Sequence, residues 1–303
     1  SYSESNGRPR IHMSDNGFFG FYVGGDHVFE IMNQTETTMT LKTVGFDDNG
    51  WFVILTSEGD GEIPEDPVYN NLIFEDDFKV NGEPDESKWG YDIGRGDNGW
   101  GNAEAQYYTD RSENVVVEND NLKIIAQKEN FQGASYTSAR LKTQDKFDFT
   151  YGRLDVRAKL PKGGGTWPAI WMLGANFPEV GWPNCGEIDI MEHVGNDPGS
   201  IQSALHNPSS FGNTIYKRSV DITDESDTFH VYSMIWSEEQ ISFYLDGVRF
   251  YIYRPESRNS NTWPYDKPQF LILNVAMGGT LGGDIDPTFT SSSMEIDYVR
   301  IYQ

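Results

Sequence analysis

Gly186 to Gly195 reads GEIDIMEHVG and sets three carboxylates, Glu187, Asp189 and Glu192, among the apolar, largely β-branched residues Ile188, Ile190 and Val194. Such neighbours favour a strand with one buried face. Period two places Glu187 and Asp189 on the same face. Glu192 stands five positions after Glu187, so a regular strand turns it to the opposite face, among Ile188 and Ile190. One extra residue has to be absorbed, and a β-bulge at Ile190–Met191 does this; bulges re-aim side chains and are over-represented beside active sites. All three acids then line one surface.

A row of acids is costly because like charges repel and partly buried ones raise each other's pKa. That perturbation suits an acid and a nucleophile working as a pair. Retaining glycoside hydrolysis uses two carboxyl groups about 5–5.5 Å apart, one attacking the anomeric carbon and one protonating the leaving oxygen. Same-face residues two positions apart on a strand are roughly 6.5–7 Å apart at the backbone, and four positions apart about twice that. Long, inclined Glu side chains from the outer positions can converge on the required separation. Asp189, shorter and between them, can hydrogen-bond Glu187 and tune its proton affinity. Taken alone, E-x-D-x-x-E fits a solvated acidic face or a calcium site equally well.

The chain has 303 residues, room for one large β domain and a smaller element. A formal net charge of −24 disfavours nucleic acid and anionic membranes as partners, and sulfated polysaccharides as substrates. Aromatic residues at 14% and 31 glycines suit a turn-rich β protein with an aromatic-lined groove. No stretch approaches the roughly 20 apolar residues of a membrane span. Ser1 opens the chain without a signal-peptide pattern, which points to a mature or trimmed product. The single Cys185 excludes an internal disulfide and reads as packing beside the acidic strand.

Residues 1 to about 57 read as a partial β accessory element: FFGFYVGG (18–25), VFEIMNQ (28–34), TTMTLKTVG (37–45) and WFVILTS (51–57) are β-prone runs separated by turn signals. Residues 58–70, rich in acids, Pro and Gly, read as a linker. From Asn71 about twelve strand-like runs follow with no amphipathic helix between them, which predicts an all-β, two-sheet sandwich over 71–303. The 98–109 segment reads as a loop facing a cleft. Trp171, Trp236 and Trp51 are expected in cores. Trp167 and Trp182, flanked by Gly or Pro, are expected to stack on sugar rings.

GEIDIMEHVG resembles the active-site strand of glycoside hydrolase family 16, in the form with the extra bulge residue found in bacterial laminarinases. Supporting motifs stand in family order: LIFEDDF (72–78), PDESKW (84–89), GNAEAQYYT (101–109), SARLKT (138–143), YGRLDVRAKLP (151–161), GTWPAIWML (165–173), YSMIWSEEQISFYLDG (232–247), LNVAMGG (273–279) and MEIDYVRIYQ (294–303). The resemblance covers about Leu72 to Gln303. It implies a β-jelly roll of two antiparallel sheets with a concave glycan cleft. It makes Glu187 the nucleophile, Asp189 its assisting partner and Glu192 the general acid and base. Trp167 and Trp182 match cleft tryptophans; Asn102, Glu104 and Arg140 match polar positions near the non-reducing-side subsites; His206 matches a position near the leaving group. Asn274 and Met277 fall on a cleft-facing strand. The resemblance also implies a structural calcium, with Asp297 as side-chain ligand and Asp77 and Asp120 giving backbone oxygen, and no cofactor for catalysis.

The expectation is an extracellular, secreted or surface-attached, monomeric endo-β-1,3-glucanase acting with retention on laminarin-like glucans. Mixed-linkage β-1,3-1,4-glucan is the alternative substrate, and agarose or carrageenan a weaker one. A catalytically silent glycan-binding module and a transglycosylase are the rivals in kind. Retention of all three acids speaks against the silent module.

Overall fold

The computed structural model describes residues 65–303 throughout and, before them, the strands Tyr2–Ser5, Arg8–Met13, His27–Gln34, Thr38–Thr43 and Phe52–Thr56. Those five strands form a sheet of their own, paired antiparallel in chain order. The expected run at 18–25, Trp51 and the first half of the expected linker lie outside the described residues.

The chain divides into two compact units between Glu65 and Asp66. The second half of the expected linker therefore belongs to the larger unit. Asp66, almost buried, accepts hydrogen bonds from Gln240 Nε2 (2.8 Å), Ser242 Oγ (2.7 Å) and the Tyr244 hydroxyl, and pairs with Arg249 (3.1 Å). Farther along, Asn71 and Gln303 exchange backbone hydrogen bonds that close the unit's two ends on each other.

The larger unit is a β-jelly-roll sandwich. Its ten-stranded sheet runs in the order Val248–Tyr253, Ile241–Leu245, His230–Trp236, Gly152–Lys159, Ser291–Tyr302, Asn121–Phe131, Ala134–Ser138, Gln106–Tyr108, with Leu72–Asp76 and Val115–Glu118 attached at the side. The seven-stranded sheet runs Lys217–Asp221, Ser200–His206, Glu187–His193, Thr166–Gly174, Gln269–Met277, Arg140–Lys142, Gly90–Tyr91. Nearly all ladders are antiparallel; Ala134–Ser138 and Gln106–Tyr108 pair in parallel. Alternation along the strands sends Leu122, Ile124, Leu154, Val156, Leu271, Leu273, Met294 and Ile296 into one core between the sheets.

The strand Glu187–His193 departs from alternation where the spacing of its acids demands it. Against Thr166–Gly174, Asp189 opposes Trp171 and Met191 opposes Ile170, with Ile190 supernumerary. Against Ser200–His206, the register likewise shifts between Asp189 and Glu192. Ile190 and Met191 both enter the core beside Ile188. Two successive inward residues reset the period, and Glu192 returns to the face of Glu187 and Asp189.

Gly186 and Gly195 bracket this strand for steric reasons. Gly186 has φ +75°, and a Cβ there would lie 2.9 Å from the Tyr265 ring. A Cβ on Gly195 would lie 2.0 Å from the Gly163 carbonyl oxygen and 2.4 Å from Thr166 Oγ1. Backbone atoms cannot yield to such contacts without moving the strand. Gly195→Ala is therefore expected to cost about 1–3 kcal/mol and lower the melting temperature of the large unit by about 2–10 °C, as measured by calorimetry; an unchanged melting temperature contradicts the close approach.

Candidate active site

Glu187, Asp189 and Glu192 share the outward face of the seven-stranded sheet, Glu187 half-buried and the other two almost fully buried. Glu192 is held from both sides: Trp167 Nε1 donates to its Oε1 and Gln202 Nε2 to its Oε2, each at 3.0 Å. Gln202 shares a strand face with Ala204 and His206, so period two on IQSALH was the available signal for it.

His206 stands opposite Glu187 on the neighbouring strand. The Gly212 amide donates to His206 Nδ1 (3.1 Å), so the neutral ring carries its proton on Nε2. That nitrogen lies 3.2 Å from Asp189 Oδ2 and 3.6 Å from Glu187 Oε1. Asp189 Oδ2 is buried and makes no hydrogen bond, close as the imidazole is. The ligand atoms of Glu187, Asp189 and His206 lie within 4.8 Å of one another, the one group of this kind among the described residues that could hold a metal ion.

Burial raises the pKa of all three carboxyls. Glu187 is pushed up to about 8 by desolvation first and by the Asp189 charge second, against the pull of His206. Asp189 is raised well above the carboxylate range by burial and by Glu192. Glu192 is raised by burial, with the Gln202 and Trp167 hydrogen bonds opposing. Each carboxyl therefore favours its neutral form more than a free one does, and Glu187, at about 8, holds its proton at neutral pH.

Across the sheet from His206 lies a second polar group. Glu104 is buried, its pKa raised by desolvation. It accepts hydrogen bonds from Gln106 Nε2 (2.6 Å), the Tyr108 hydroxyl (3.2 Å) and Asn102 Nδ2 (3.4 Å). Tyr108 in turn accepts from Asn274 Nδ2 (3.1 Å), and Asn274 Oδ1 accepts from Trp171 Nε1 (2.7 Å). Arg140 sits with its guanidinium carbon 4.7 Å from both the Trp100 and the Trp171 rings and pairs with Asp92 (3.0 Å). Trp100 and Ala103 hold left-handed backbones (φ 55° and 56°), which brings Trp100 onto Arg140 within a tight turn at Gly99–Ala103.

Two expectations need correction. Trp171 does not enter the core: it is half-buried on the cleft face, tied to Asn274 and Arg140, because it shares parity with Trp167 and Ala169. Met277 is fully buried in the core; Asn274 has even parity on Gln269–Met277 and Met277 odd, so both cannot face the cleft. Its main chain serves the site instead, receiving the Ala105 amide and donating to Gln106 Oε1. Trp182 is 40% exposed beside His206, their rings 5.9 Å apart. Cys185 packs with Leu173, Phe270 and Ile272, and burial lifts its thiol to about 12, which keeps it un-ionised.

Of the calcium candidates, Asp297 pairs with Arg157 (2.6 Å) and Asp120 lies 3.8 Å from Lys79. Topology brings the three together at the backbone. Along one edge of Ser291–Tyr302, Leu122 opposes Ile296 and Asp76 opposes Val299, so Asp297 faces the gap between two partner strands, flanked by Asp120 and Asp77. Main-chain oxygens beside a carboxylate are the kind of donors a calcium ion prefers.

The family model described as glycosyl hydrolases family 16 matches residues 102–300. A beta-glucanase of Rhodothermus marinus is 41% identical, the match covering 77% of this chain and 85% of that protein. Glucan endo-1,3-beta-glucosidase A1 of Niallia circulans is 38% identical over 79% of this chain and 39% of its own length. The crystal structure of a laminarinase from Flavobacterium sp. UMI-01 superposes with a TM-score of 0.73 at 42% identity, covering 77% of this chain and all of that one.

Because the Asp189 charge is the largest contribution to the Glu187 shift after burial, Asp189→Asn is expected to move the Glu187 carboxyl titration to lower pH, as read by NMR on ¹³C-labelled glutamate. A titration left in place contradicts the coupling.

Proposed function

The chain belongs to glycosyl hydrolase family 16, and from that premise we propose that it is a retaining endo-β-1,3-glucanase acting on laminarin-like β-glucans. The reset of alternation at Ile190–Met191 carries this reading, since it puts a nucleophile and an acid on one face beside aromatic side chains. Likeness to a laminarinase of 42% identity supports the substrate.

In the first step a Glu187 oxygen attacks the anomeric carbon while the glycosidic bond breaks and Glu192 gives its proton to the departing oxygen. Positive charge developing on the sugar favours the Glu187 carboxylate at that moment, although burial favours its neutral form in the empty site. Glu187 attacks as the carboxylate, its proton having passed to solvent beforehand, and His206 Nε2, 3.6 Å from Glu187 Oε1, faces it as a donor. In the second step Glu192, now a carboxylate, takes a proton from water, whose oxygen attacks the anomeric carbon and breaks the ester to Glu187. One water is consumed and the configuration is kept. Trp167 and Gln202 hold Glu192 in place through both proton transfers.

Arg140, Glu104, Asn102 and Asn274 bind the sugar chain on the other side of the acid strand, with Trp171 added to the set. A polymeric substrate does not cross a membrane, which supports action outside the cell; among the described residues no helix is long and apolar enough to span one. A calcium ion held by Asp297 and the main-chain oxygens of Asp77 and Asp120 would lock strand ends of the ten-stranded sheet, with no part in catalysis.

Laminarin, curdlan, mixed-linkage glucan, agarose and carrageenan are the test panel. Short laminarin oligosaccharides are expected from the parent, reduced about a thousandfold or more in Glu187→Ser; a well-folded parent that cleaves no β-1,3-glucan overturns the reading. Chelation is expected to lower the parent's melting temperature by about 5–10 °C and that of Asp297→Asn by less; no effect on the parent removes the calcium.

A further inference from the structure

The loop after the strand Ser200–His206 carries a feature that the mechanism does not use. Phe211 is 51% exposed, although a benzyl side chain gains from burial, and it lies in the polar run PSSFGNT. Its ring stands 5.3 Å from the Trp182 ring at 82°, so the two exposed rings make a corner rather than a single platform. The same loop reaches the reacting groups one residue later, where the Gly212 amide holds His206 Nδ1. Trp182 meets the other side of that arrangement, 5.9 Å from the His206 ring. The corner is therefore continuous with the Glu187–Asp189–His206 cluster and opens at the edge of the cleft away from Arg140.

We propose that Phe211 and Trp182 together form a binding subsite for one glucosyl ring of the substrate chain, with Phe211 as its specificity-determining wall. The inference rests on the β-glucan reading of the site. A pyranose has apolar C–H faces and a polar rim, so a ring seated in an aromatic corner covers one face on an indole or phenyl plane and leaves its hydroxyls in water. A corner grips a ring that turns relative to its neighbours better than a flat strip does, and β-1,3 links turn the chain at every residue. Asn207, behind the loop, fixes its path: its Oδ1 accepts the Ser209 and Ser210 amides (3.0 and 3.2 Å) and its Nδ2 donates to the Tyr253 hydroxyl (3.1 Å). Phe211 is thus presented by a braced loop.

The test is calorimetric titration of laminarihexaose into Glu187→Ser and into the same protein carrying Phe211→Ala, Phe211→Leu or Phe211→Trp, with laminarin hydrolysis by the parent run beside it. Removing the aromatic face, by Ala or by the volume-keeping Leu, is expected to weaken binding about three- to tenfold, and Trp is expected to restore it. Unchanged affinity in Phe211→Ala overturns the proposal. So does full affinity in Phe211→Leu, which reduces the residue to packing for Trp182. A parent that cleaves no β-1,3-glucan fails the substrate reading and the proposal with it, and is told apart from the other outcomes by the hydrolysis arm alone.

Discussion

Three carboxyl groups on six residues of one strand are held against their mutual repulsion, and the rest of the large unit is arranged around that constraint. The bulge puts them together; burial then penalises their charge; protons, His206 and the donors on Glu192 compensate. Each compensation has a fixed source in the fold. Trp167 and Gln202 come from the strands on either side of the acid strand, and His206 is oriented by a loop amide. A site of this kind works because the groups that hold Glu192 keep its oxygens in place while the two glutamates, their proton affinities raised by burial, do the chemistry.

The neighbouring strands extend the same logic into binding. Their cleft-facing positions carry indoles, amides and one guanidinium linked into a chain from Glu104 through Tyr108 and Asn274 to Trp171, with Arg140 between two rings. Such a network is rigid because every member is tied to the next, and it presents both apolar faces and hydrogen-bonding edges, which is what a neutral sugar offers in return.

Much of this was legible in the residue order. The spacing of Glu187, Asp189 and Glu192 required the bulge at Ile190–Met191, and the succession of short alternating runs required a sandwich. What escaped was what depends on partners far away in sequence. Lys217–Asp221 and Gly90–Tyr91 are strands because an edge of the sheet is there to receive them, not because their residues favour it. Trp171 looked like core because it sits in an apolar run, yet the parity of that run, fixed by Trp167, already turned it outward. The reverse error at Met277 came from giving one strand two faces at once. His206 could be matched to the site, but its tautomer depends on Gly212, six residues along a loop whose path no local signal reveals.

The most direct test of the bulged acid strand as a retaining catalytic pair is to trap the intermediate. The enzyme is incubated with an activated 2-deoxy-2-fluoro β-1,3-glucosyl donor, digested, and its peptides weighed and fragmented, while product anomers of an unmodified glucan are followed by proton NMR. A glycosyl adduct on Glu187 together with β-configured first products is the result this account requires. An adduct on Glu192 or Asp189, or α-configured first products, would contradict it.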